Sequence, residues 1–115
     1  MSFNDIQQKQ IERAINNFMA TKRPPPEIRD QLDFKIELKG QSIIIYEVRP
    51  RFDDKSKIMN HEVAKTTYVK RTNVWKIYWM RADLKWHGYQ PKPQVKNIDA
   101  FFKVVDEDKH CCFFG

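Results

Sequence analysis

The 115-residue chain holds only three glycines, so glycine-rich loops that cradle nucleotide phosphates have little to form from. No Walker loop, dinucleotide fingerprint or GxSxG elbow occurs. Those absences remove most nucleotide-dependent and serine-hydrolase readings. No uninterrupted apolar run is longer than Ile43-Ile44-Ile45-Tyr46, far short of the ~20 apolar residues that a membrane span needs. The start, Met1-Ser2-Phe3-Asn4-Asp5, has neither the basic residues nor the apolar stretch of a secretory signal. Cysteine is scarce too. Cys111 and Cys112 are adjacent, and a secreted domain of this size more often carries spaced, even-numbered cysteines. Both are expected to be reduced, and the cytoplasm is the expected address, with no membrane contact. His61, His87, His110, Cys111 and Cys112 match no zinc spacing. Neither a metal site nor a cofactor is implied.

What is present argues for a folded chain. Hydrophobic residues make up 41% and aromatics 13%, against the pattern of disorder. Residues 1–115 read as one domain, large enough to bury roughly 65% of the surface its unfolded chain exposes. The net charge is +6, unevenly spread. Between residues 65 and 103 stand Lys65, Lys70, Arg71, Lys76, Arg81, Lys85, Lys92, Lys96 and Lys103 against Asp83 and Asp99 alone. That region carries the positive field, and such a field raises the encounter rate with polyanions.

Periodicity divides the chain into elements. Ser2 with Asp5 forms a weak capping box. Behind it Ile6, Ile11, Ala14, Ile15, Phe18 and Met19 fall near helical spacing, which predicts a helix over about residues 3–20. Pro24-Pro25-Pro26 ends it, and Glu27 to Gln31 has room for one helical turn. Phe34 to Lys39 alternates strictly and predicts a half-buried strand. Gly40-Gln41 is a tight turn, and Ser42 to Pro50 is a second strand. Residues 51–62 show no clean period and read as the longest loop. A third strand is expected over Val63–Arg71, a turn at Thr72-Asn73, and a fourth strand over Val74–Arg81. Leu84 to Tyr89 reads as a short fifth strand and Gln90 to Lys96 as loop. Asn97 caps a second helix carrying Ile98, Phe101, Phe102 and Val105. Asp106-Glu107-Asp108 oppose that helix's dipole, so either they have another role or the helix stops early. The expected class is α+β: an antiparallel meander sheet of four to five strands with an N-terminal and a C-terminal helix.

Alternation also sorts side chains by face. Ile44, Tyr46 and Val48 share one side of the second strand; Ile43, Ile45, Glu47 and Arg49 share the other. Glu47 and Arg49 either make a structural ion pair, with Lys65 or Arg81 as cross-strand candidates, or line a site. In the fourth strand Trp75, Ile77, Trp79 and Arg81 oppose Lys76, Tyr78 and Met80. Both sides are bulky, so either the sheet is covered twice or one side is an exposed aromatic platform. Rings interleaved with cations suit single-stranded nucleic acid, because bases stack on rings while cations track phosphates.

Glu47-Val48-Arg49-Pro50, Ala64-Lys65, Trp75-Lys76-Ile77-Tyr78-Trp79, Lys85-Trp86-His87-Gly88-Tyr89, and Asp108 with Phe113-Phe114-Gly115 form a recognisable set. With Pro26 to Leu32 upstream, the chain resembles over nearly its whole length a small bacterial family catalogued only as a domain of unknown function. The resemblance implies a bacterial, stand-alone, single-domain protein and carries no catalytic assignment.

The leading expectation is a non-enzymatic binding module for nucleic acid or another polyanion. Lys70, Arg71, Lys76, Arg81 and Lys85 would meet phosphates, and Tyr78 or Trp86 would stack. The alternative is a metal-assisted phosphodiesterase using Glu47, Asp83 and Lys65, with Arg49 beside them. A third reading is an adaptor that pairs strand edges as a homodimer rather than acting as a monomer.

Overall fold

The computed structural model describes residues 3–109 and 112–113. Helix α1 spans Asp5–Lys22. Its cap is Asn4 rather than Ser2, which lies outside the described residues with His110, Cys111, Phe114 and Gly115. The Asn4 side chain accepts from the Gln7 backbone at 2.8 Å, and the Gln7 side chain accepts from the Asn4 backbone at 3.2 Å. Two otherwise orphaned amides are thereby satisfied reciprocally. Ile11, Ala14 and Phe18 form the buried stripe, whereas Ile6 is exposed. Arg23 leaves the helix in extended conformation ahead of the prolines, and a 3-10 turn over Pro26–Ile28 follows.

The sheet runs β1 (Asp33–Lys39), β2 (Ser42–Pro50), β3 (Ile58–Val69), β4 (Val74–Met80), β5 (Trp86–Gly88) and β6 (Gln94–Val95). The first five lie side by side in chain order, antiparallel throughout, and β6 also pairs with β4. Gly40 takes φ +58° in the β1–β2 turn, a conformation glycine adopts without penalty. β5 and β6 share one edge of β4. Ile77 bridges them by accepting from Tyr89 N–H (2.9 Å) and donating to the Pro93 carbonyl (3.0 Å). Residues 90–92 thus bulge out of an otherwise continuous pairing.

The expected loop over 51–62 is shorter than its composition implied. Residues 58–62 already belong to β3, and the loop covers 51–57. The register shifts by one residue between Ile45 and Tyr46, leaving Val63 as the extra residue of a β-bulge. That bulge breaks the period-two pattern, so the segment ahead of it shows no clean alternation. Val63 and Ala64 are both buried in the core. At the other end β3 stops at Val69, and the chain turns through residues 70–73 with Asn73 at φ +56°.

Helix α2 (Ile98–Glu107) begins at Asn97, whose side chain accepts from Ala100 N–H at 2.8 Å. Phe101 and Val105 are wholly buried, and Phe102 meets Phe18 of α1 at 5.0 Å. The acids at its end have separate partners. Asp106 pairs with Lys22 of α1 at 3.3 Å. Asp108 turns the chain at φ +41° and accepts from the Phe113 backbone at 3.1 Å. These contacts offset the unfavourable dipole position.

Both helices pack on one face of the sheet, where Ile36, Ile43, Ile45, Ala64, Trp75, Ile77, Trp79 and Val95 join the core. Among the described residues no helix covers the opposite face.

Candidate nucleic-acid interface

Strand register fixes the helix-free face. Ile44 is paired across to Lys65, Lys65 to Tyr78, and Tyr78 to Gly88. Met80 faces Trp86, Lys76 faces Thr67, and Tyr46 faces Lys35 on one side and Glu62 on the other. Directly opposed residues in antiparallel strands share a face. Lys35, Glu37, Ile44, Tyr46, Val48, Glu62, Lys65, Lys76, Tyr78, Met80 and Trp86 therefore line one surface. Ile44 is buried within it, while Tyr46, Val48, Lys65, Tyr78, Met80 and Trp86 are half-buried.

Lys65 is the centre of this surface. Its Nζ lies 5.4 Å from the Tyr78 ring centroid and 5.6 Å from that of Trp86. Both distances fall within the reach of a cation–π attraction. The lysine stem lies on apolar surface while its head stays between two rings. A second station repeats the arrangement: Lys35 Nζ is 5.7 Å from the Tyr46 ring. The Tyr46 hydroxyl donates to Glu37 at 3.2 Å, and burial first, then this bond, push the phenol's pKa up. Lys39 lies 3.2 Å from Glu37 and, as the largest influence, holds that carboxyl below its usual range. The Ser42 and Thr67 hydroxyls share a hydrogen bond of 2.8 Å nearby.

The expected cations do not all converge here. Lys65 and Lys76 lie on the open face, and Lys85 sits in the turn that leads into Trp86. Lys70 and Arg71 occupy the β3–β4 turn at the far end of β4, about 20 Å away by strand length. Arg81 projects to the helix side, where its guanidinium lies 5.4 Å from the Trp79 ring. Lys103 is on α2, and Lys92 shares a cleft with it. Lys96 lines another cleft, beside Arg13 and Asn97.

The candidate catalytic residues are separated. Glu47 shares the helix-side face with Ile45, whereas Lys65 is on the open face. Glu47 bonds Arg49 on its own strand rather than Lys65 or Arg81 across the sheet. Asp83 lies in the β4–β5 turn, accepting from Lys85 N–H at 3.0 Å with its other oxygen 2.9 Å from His87 Nε2. The His87 contact, more than any other, holds the Asp83 carboxyl below its usual range. Among the described residues no group of three or more His, Cys, Asp or Glu is arranged to hold a metal ion. Nor is any helix among them long and apolar enough to cross a membrane.

The cation–ring pair Lys35 and Tyr46 is absent from the sequence-based set, and Lys65 stood there as a catalytic candidate. The signal for the first pair was available. Lys35 alternates with Phe34 and Ile36, and the tight turn at Gly40-Gln41 sets it opposite Tyr46. No curated protein matches the chain, and no solved structure matches it. A family model does, over residues 3–115: the chain belongs to the family described as Domain of unknown function (DUF3024).

Proposed function

We propose that this family member is a non-enzymatic binding module that takes single-stranded nucleic acid on the open face of its sheet. The observation that carries the reading is Lys65 held between Tyr78 and Trp86 on the face without helices. Unstacked bases offer flat apolar faces to such rings, and the cations beside them meet phosphates. A duplex hides those base faces, so the platform favours single strands. Tyr46 with Lys35 supplies a second station, and Lys76 and Lys85 flank the first. Glu37 and Glu62 also border the surface. Glu37 is engaged by Lys39 and Tyr46, which reduces its repulsion of a polyanion.

Lys70 and Arg71 remain candidates for phosphates beyond the rings, reached by a strand that runs along β4. Arg81, on the other face, is no part of the proposed path. The reading carries with it a bacterial, cytoplasmic address and no cofactor. The test is a fluorescence-anisotropy titration with labelled single- and double-stranded oligonucleotides at low salt. Tighter binding of the single strand, weakened by Trp86→Ala and by Lys65→Ala, supports the proposal. Absence of binding at low salt refutes it.

A further inference from the structure

The two lateral edges of the sheet differ. At one edge β5 is three residues long, and Pro91 and Pro93 stand in the segment that joins it to β6. Short strands and prolines blunt an edge against further pairing. At the other edge β1 runs for seven residues with no proline and in unbroken register with β2. Among the described residues no strand pairs with its outer side. The Phe34 amide marks which backbone groups face outward. It donates to the Asp33 carboxylate at 2.8 Å and so points away from β2. Backbone groups alternate in direction along an antiparallel strand, so Ile36 and Leu38 also direct theirs outward.

The edge is charged, and its charges are self-complementary. By alternation Asp33, Lys35, Glu37 and Lys39 share one side of β1, and Phe34, Ile36 and Leu38 share the other. Two acids and two bases leave the row without net charge. Laid antiparallel on a second copy about Ile36, the row sets Lys35 opposite Glu37 and Asp33 opposite Lys39, each pair twice. Phe34 then lies opposite Leu38, and Ile36 opposite Ile36. Every directly opposed charge has the opposite sign, the favourable arrangement for cross-strand pairs. A slip of two residues loses the match. In one direction Lys35 meets Lys35 and Asp33 meets Glu37; in the other Glu37 meets Glu37 and Lys35 meets Lys39. A strand of unrelated sequence has no reason to carry this pattern, whereas a second copy carries it by identity.

We infer that two copies of this chain join through their β1 edges, antiparallel about a two-fold axis between the two Ile36 residues, into one continuous sheet. The contact is isologous. Ile36 of each copy exchanges backbone bonds with Ile36 of the other. Directly opposed residues share a face, so both open faces lie on the same side of the joined sheet. The Lys35–Tyr46 stations of the two copies then flank the seam. The inference does not depend on what that face binds. One seven-residue strand per copy is a small contact, so association is concentration-dependent and weakened by salt.

The test is sedimentation equilibrium at low salt over a range of concentrations. The wild type is expected to reach twice the mass of one chain. Lys35→Glu and Glu37→Lys each set like charges opposite one another twice in the seam, and each alone should raise the dissociation constant about tenfold or more. An equimolar mixture of the two variants restores opposite signs at both positions and should dimerise where neither does alone. The mixture holds no chain that was not already measured by itself, so lost folding or lost contacts within one copy cannot produce that rescue. A wild type that stays monomeric up to about 1 mM overturns the inference. A dimer indifferent to both single variants, or one that the mixture fails to restore, overturns it as well.

Discussion

Individual side chains on the open face have separable roles. Trp86 and Tyr78 present rings, and Lys65 presents charge between them. Replacing Trp86 or Tyr78 with alanine should weaken single-strand binding by about five- to a hundredfold, corresponding to the loss of one stacked base. Both are half-buried on a face that lacks helices, so circular dichroism should show an unchanged fold. Acid titration probes a residue elsewhere. Arg23 donates to both oxygens of Asp33 at 2.8 and 2.9 Å and, as the leading cause, holds that carboxyl below its usual range. A carboxylate with a depressed folded pKa contributes stability that is complete above the unfolded value of about 4. That contribution is lost as pH falls through the lower folded value. The stability gap between wild type and Asp33→Asn, followed by urea denaturation, should therefore be flat above about pH 5 and shrink towards pH 2. Salt should narrow the gap because Arg23 is exposed.

At the scale of elements, sequence legibility followed the regularity of local pattern. β2 keeps its expected bounds because a segment rich in β-branched residues, Ile43 to Ile45 and Val48, lies between a glycine turn and a proline. The first half of β3 was hidden because the Val63 bulge interrupts its alternation and residues 58–62 are all exposed. β6 is two residues long between prolines and lysines, too short for any period to register. The division of β4 into two faces was legible, but which face the helices cover was not. That choice depends on packing across the molecule. It decides whether Trp75 or Tyr78 becomes core, and with it whether Lys65 belongs to a platform or a catalytic set. The bulge gives a prediction of its own. Deleting Val63 makes the alternation of β3 uniform and keeps the register, with Glu62 still opposite Tyr46 and His61 still opposite Glu47. The loss of a buried valine alone should lower stability by about 1.5–3 kcal/mol, measurable by urea denaturation. For α2, Phe101→Ala should cost about 3–5 kcal/mol, since Phe101 is wholly buried at the helix–sheet junction.

For the whole molecule, a helical layer on one side leaves an antiparallel sheet free to use its other side. The +6 net charge supplies long-range attraction, whereas the arrangement of rings decides where a strand settles. If Lys35, Lys65, Lys76 and Lys85 neutralise four phosphates, log affinity should fall with log salt at a slope of about −3. The proposed path could be mapped most directly by recording backbone amide NMR shifts of the 15N-labelled protein during titration with a single-stranded oligonucleotide at low salt. The proposal predicts saturable shifts concentrated at Lys35, Tyr46, Lys65, Lys76, Tyr78 and Trp86, with α1 and α2 little changed. Shifts confined to the helices, or no shifts at all, would contradict it.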